Sequence, residues 1–169
     1  MMLADAYTIE VNAACPDWAG DCAAAETLAT EAARLALLRG KAPAAAVVDI
    51  TLTDDDEQRG LNRTWRGKDA PTNVLAFPLM SLGGDLTRPG PPGAPLLLGD
   101  IVLAFETVRR EAAEQDKTLA DHLRHLVVHG VLHLLGYDHE NAAEAAIMEA
   151  REIAILSELG VSNPYRDTM

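Results

Sequence analysis

Cysteine is scarce in this 169-residue chain, which contains only Cys15 and Cys22. Two thiols cannot build a four-cysteine zinc site or a disulfide framework, so they are expected to be reduced thiols of a cytoplasmic protein. Aromatic residues are also few, at 4%, which leaves alanine and aliphatic side chains to fill the core. Positive charge is in short supply: 14 Lys and Arg stand against 26 Asp and Glu, a net charge of -12. That argues against a general nucleic-acid-binding surface, which is ordinarily basic, but allows a local basic cleft on an acidic body. The simplest consequence of the charge is solubility. No apolar run is long enough to span a bilayer. Residues 1–15 lack the basic start of a secretory leader and carry Asp5 and Glu10, so neither a leader nor a membrane partner is expected.

What is present is 49% apolar residues, enough for one domain over residues 1–169 with a real core. YTIEVNA (7–13) and AAVVDITLT (45–53) read as strands, and Asp17 to Gly40 reads as one helix closed by glycine. Asp54, Asp55, Asp56 and Glu57 open a second helix running to about Trp65. Acids at a helix N-terminus are favoured by its dipole, and the glycine and ligand spacing of a calcium loop are missing. NVLAFPL (73–79) and LLLGDIVLAF (96–105) are further strands, the second largely apolar and expected to be central in the sheet. The glycine- and proline-rich stretch between them, 81–95, reads as a loop or wide hairpin. Helices are predicted over 106–116, 118–136 and 141–160, with a loose tail over 160–169. The expected fold class is α/β (α+β): a single domain with a mixed sheet of about four strands, about five helices and a zincin-like metal helix.

The sharpest motif is HGVLHLLGYDH, residues 129–139. Residues four apart share a helix face, so His129 and His133 can aim at one ion. Gly136 can end the helix in a left-handed conformation and let His139 turn back as a third ligand. Three ligands leave a fourth position open, as catalytic zinc sites do. Zinc proteases place a glutamate base after the first histidine, whereas Gly130 stands there in this chain. A glycine inside a helix costs about 1 kcal/mol against alanine, so the position must need room, for a strand or for substrate. His122 and His125 read as packing or hydrogen-bonding residues.

HLVVHGVLHLLGYDHE (125–140) resembles the signature of the YbeY family of bacterial rRNA maturation factors and endoribonucleases. LNRTWRGKDAPTNVLAFP (61–78) is similar to the family's arginine-containing segment, and LGDIVLA (98–104) to its Gly-Asp-Ile strand. The resemblance runs from about the second strand to the last helix. It implies a zinc-dependent, single-strand-specific endoribonuclease with one Zn2+, acting in 16S rRNA 3′-end maturation and ribosome quality control. By position, His129, His133 and His139 become the zinc ligands and Arg66 the essential arginine. Asn73 and Ala76 depart from the aspartate and serine common in the family.

RNA brings its own nucleophile, the 2′-hydroxyl, so the missing glutamate is no obstacle. Arg66 suits the growing oxygen charge of a phosphodiester transition state. Arg59, Arg63 and Lys68 stand in the same stretch. Arg59 and Arg63 are expected to pair with Asp55 or Asp56, while Arg66 and Lys68 are the substrate-binding candidates. For a base, Asp100, Asp138 and Glu140 are all open. Two alternatives stand beside the nuclease: a zinc peptidase-like hydrolase, and a non-catalytic ribosome assembly factor with a structural zinc. The acidic charge implies weak binding to naked RNA and no DNA partner. Delivery to the small ribosomal subunit and the 16S 3′ region would then run through a protein partner.

Overall fold

The computed structural model describes residues 7–79, 95–137 and 140–165. The loop expected over 81–95 lies almost wholly outside the described residues, as do Asp138 and His139. The described residues form β1 (Thr8–Ala13), α1 (Asp17–Asp21), α2 (Ala25–Arg39), β2 (Ala46–Thr53) and α3 (Asp55–Arg66). They continue with β3 (Val74–Pro78), β4 (Leu96–Ala104), α4 (Phe105–Glu114), α5 (Leu119–Leu134) and α6 (Ala142–Glu158). None of these helices is long and apolar enough to cross a membrane.

The four strands form one mixed sheet in the order β1-β2-β4-β3. β1, β2 and β4 run parallel, and β3 pairs antiparallel with β4 at the edge. The apolar β4 is therefore central, as its composition implied. Pro78, which has no N–H to give a ladder, closes the edge strand. In β2, Val48, Ile50 and Leu52 are buried while Val47, Asp49 and Thr51 are half-buried, the period-two pattern of a sheet with one well-covered face. α2 and α5 pack on that face. Ala25, Ala29, Ala32, Ala33 and Ala36 of α2 are all buried, and such small side chains let the helix lie close to its neighbours.

The single helix expected over 17–40 is two, making six helices rather than five among the described residues. Trp18 is the reason. Its ring is fully buried edge-on against Phe105, and its Nε1 donates to Thr53 O at 2.9 Å. This tie to the end of β2 fixes α1, and Cys22 then turns to an extended conformation before α2 begins. Of the tail, residues 160–165 are described: Val161 is buried, and Tyr165 is hydrogen-bonded to α6.

The acids before α3 divide their work. Asp54 caps the helix by accepting from Glu57 N at 2.8 Å. Asp55 accepts from Thr107 N and Oγ1, at 3.1 and 2.9 Å, and its own N–H donates to Glu106 at 2.9 Å. The starts of α3 and α4 are thus tied together. Asp54→Ala removes a cap and is expected to lower stability by about 1 kcal/mol, read as a shift in the urea midpoint at constant m-value.

Candidate functional site

α5 carries the histidine motif. Thr118 caps its start by accepting from Asp121 N at 3.0 Å. Its end is a left-handed turn, as expected: Gly136 has φ +100°, its N–H donates to His133 O, and Tyr137 N donates to Leu132 O, each at 3.0 Å. That pair of bonds closes the last turn and directs the chain away from the helix axis. Between these ends the rings of His129 and His133 stand 4.9 Å apart, centroid to centroid, on one helix face.

Gly130 is explained by the sheet. A Cβ there would lie 3.1 Å from both Cδ1 and Cγ2 of Ile101, in central strand β4. Both needs considered for the glycine are met here: the strand approaches closely at Ile101, and Gly130 also lines the cleft beside His129 and His133.

His129 and His133 line a cleft of about 610 Å³ between α5 and edge strand β3. Val74, Ala76 and Pro78 form the strand side, and Arg66, Asn73, Glu140, His125 and Tyr165 complete the wall. The cleft therefore brings Arg66 and the histidine pair together. Arg66 is the last residue of α3 rather than a loop residue, because Gly67, at φ +73°, caps the helix just after it. The segment beyond is held by buried amides. Gln58 accepts from Thr72 N at 2.7 Å and donates to Val102 O at 3.0 Å, and Asn62 donates to Ala70 O at 2.7 Å. Lys68 is exposed and is not in the cleft wall.

Arg59 and Arg63 are paired as expected, but with a different acid. Arg59 makes a two-pronged contact with Asp69, at 2.8 and 3.1 Å, and Arg63 stands 3.9 Å from the same carboxylate. Asp55 instead accepts from Thr107. Among the described residues Arg66 forms no ion pair, so its charge is not spent on a protein carboxylate.

Asp100 is not a base for this site. Ile101 points at Gly130 of α5, and strand residues alternate faces, so Asp100 points to the opposite side of the sheet. Its register neighbour there is Asp49. Burial, and then the Asp49 carboxylate beside it, push the Asp100 carboxyl above the ordinary range. Glu140 does line the cleft.

The residue that the motif missed is Glu152 of α6. It is 0% exposed. His129 Nδ1 donates to its Oε2 at 3.0 Å, while Oε1 accepts from His125 Nε2 at 2.8 Å and Tyr165 O–H at 2.6 Å. Burial alone would push this carboxyl up. The donors from His125, His129 and Tyr165 outweigh it and hold the group down at about 2. The available signal was its place on α6, where Met148, Glu152, Ile155 and Leu156 form the buried stripe and a glutamate interrupts an otherwise apolar face.

Asn73 also has a physical account. Its Nδ2 donates to Glu111 Oε1 at 2.9 Å, and the same oxygen accepts from the buried His122 Nε2 at 2.9 Å. An aspartate at 73 would set two carboxylates against each other, whereas the amide lets Glu111 serve both partners. His122 and His125 are thus hydrogen-bonding residues, as expected.

His129 and His133, the first backed by Glu152, thus share an open cleft with Arg66 in an α+β domain. The sequence model of the Endoribonuclease YbeY family matches residues 17–160. Proteins named Endoribonuclease YbeY are similar over most of the chain. The one from Paramagnetospirillum magneticum is 52% identical over 158 residues, covering 93% of this chain and 94% of its own. That from Sphingopyxis alaskensis is 46% identical over 165 residues, covering 95% and 98%. The solution structure of TM1509 from Thermotoga maritima shares the fold, with TM-score 0.53 and 24% identity over 95% of this chain and 100% of that one. The chain belongs to the Endoribonuclease YbeY family, a family of RNA-cleaving hydrolases.

Proposed function

We propose that the chain cleaves single-stranded RNA in a zinc-dependent reaction during maturation of the 16S rRNA 3′ end and ribosome quality control. It works in the cytoplasm on the small ribosomal subunit, to which a protein partner delivers it. The observation that supports this reading is the shared cleft, which Arg66 lines together with His129 and His133.

The residues fit a zinc ion. With Nδ1 of His129 committed to Glu152, Nε2 is the nitrogen a metal would take, and a carboxylate behind a histidine is the usual support of such a ligand. His129, His133 and His139 would hold one Zn2+, which when bound supplies Lewis-acid stabilisation of a phosphoryl oxygen. Arg66 binds the scissile phosphate and meets the charge that grows on its oxygens. The nucleophile is the 2′-hydroxyl of the RNA or a water molecule, with Glu140 on the cleft wall as a base for either. Trp65, 71% exposed beside Arg66, offers a face on which an unpaired base can stack. Lys68 adds charge along the approach. Gly130 speaks against a peptidase, because its place in the motif is pressed against Ile101 and holds no base.

The test uses the metal-loaded full chain with single-stranded RNA and with casein, beside a His133→Ala control. RNA cleavage that vanishes in the control supports the proposal. Casein loss would replace it with a peptidase, and binding to small subunits without cleavage would replace it with an assembly factor. Lys68→Ala is expected to weaken RNA binding severalfold and to reduce the slope of log affinity against log salt by about one, measured by fluorescence anisotropy over a salt series.

A further inference from the structure

We propose that Tyr165 is a positioning residue for the histidine centre. Its phenol fixes one oxygen of Glu152 so that the other is aimed at His129 Nδ1, and so decides which nitrogen of His129 faces the cleft. The proposal rests on the reading of His129 as a metal ligand.

The chain after α6 is folded back to make this contact. Val161 N donates to Leu156 O at 2.9 Å, and Asn163 Oδ1 accepts from Tyr165 N at 2.8 Å. Tyr165 itself is 42% exposed. A tyrosine on such a segment ordinarily turns its polar tip to water. Here the hydroxyl points inward to Glu152 at 2.6 Å, and the ring stands edge-on to His125, centroids 5.4 Å apart at 87°. The polar end of this partly exposed side chain is thus turned to a fully buried carboxylate, not left to water alone.

Glu152 shows what this accomplishes. Two donors, from His125 and Tyr165, converge on Oε1, while Oε2 receives only His129 Nδ1 among the described residues. A carboxylate gripped twice at one oxygen cannot swivel, so Oε2 stays in line with His129. An imidazole whose Nδ1–H has a fixed carboxylate acceptor keeps its proton there and presents the lone pair of Nε2. Without the phenol, only His125 grips Oε1. The carboxylate can then turn, the bond to His129 loosens, and the proton can move to Nε2, where it blocks coordination.

Tyr165→Phe removes the hydroxyl and keeps the ring against His125. Zinc affinity, measured by competition with a chromophoric chelator, is expected to fall about threefold to tenfold, less than the 10–100-fold typical of a direct partner of a ligand. The second readout needs no metal. In the metal-free wild type at alkaline pH, the ¹⁵N shifts of His129 are expected to show the Nδ1–H tautomer, and in the variant a mixture. Unchanged affinity with an unchanged tautomer overturns the proposal. So does an Nε2–H tautomer in the wild type, which decides the matter even if the variant does not fold. If His129→Ala binds zinc as well as wild type, the ligand reading fails instead, and the tautomer measurement still judges Tyr165 separately.

Discussion

Glu152→Gln is expected to destabilise the protein by about 3–5 kcal/mol, the usual range when one member of a buried charged cluster is removed, and to weaken metal binding by about 10–100-fold. Three donors, two from α5 and one from Tyr165 beyond α6, converge on a carboxylate with no solvent exposure. The glutamine amide has one acceptor oxygen for three donors, and its NH2 can be accepted only by the Tyr165 hydroxyl oxygen or by a histidine that changes tautomer. A buried donor left without an acceptor bears its full desolvation cost. The native carboxyl also predicts an acid limb. It sits at about 2 in the folded protein against an ordinary 4.5. A depressed carboxyl contributes stability that is present above its unfolded value and lost as pH falls through the folded one. Stability should therefore decline from about pH 4.5 towards pH 2, by about 3 kcal/mol in all. In urea titrations of the metal-free proteins, wild type should show this decline and Glu152→Gln a shallower one, since Asp69 and Glu158, held down by their arginines, remain. Parallel pH profiles would contradict the assignment.

Gly130→Glu, which rebuilds the protease motif, is expected to lose about 3–5 kcal/mol and to gain no peptidase activity. The new Cβ alone would stand 3.1 Å from two carbons of Ile101. Ile101 is fully buried in the central strand with neighbours on both sides, so it has little room to yield. Overpacking of this kind costs about 1–3 kcal/mol. The rest of the glutamate must pass Ile101 towards the cleft that Gly130 also lines, and desolvating its carboxylate against that packed wall adds to the loss. Gly130→Ala separates the two effects. Alanine regains about 1 kcal/mol of helix propensity but still meets Ile101, so a smaller net loss is expected. Circular dichroism melts of the three proteins measure the series. A Gly130→Glu protein as stable as wild type would show that α5 does not rest on β4 in this way.

Much of this site could be read in the chain because it is written in short spacings. A four-residue step puts His129 and His133 on one face of any helix, wherever that helix lies. Gly136 ends it through a local preference for left-handed backbone. Alternation in β2 and the apolar run of β4 marked the sheet and its central strand for the same reason: backbone geometry is periodic over a few residues.

The rest depended on which segments meet. The break after α1 comes from Trp18 reaching Thr53, 35 residues on. Asp100 was an open candidate until the sheet assigned odd and even positions of β4 to opposite faces, and only the packing of α5 on Ile101 says which face is which. Arg59 pairs with Asp69, while Asp55 accepts from Thr107. Glu152 lies 23 residues from His129 on a separate helix, and no spacing links them. The sequence by itself determined the histidine face, the helix stop and the strand periods, since each is set within one or two turns of chain. The tertiary structure alone decided the carboxylate behind His129, the arginine that shares its cleft and the reason for Gly130, since each depends on elements whose meeting is chosen by burial of the core as a whole.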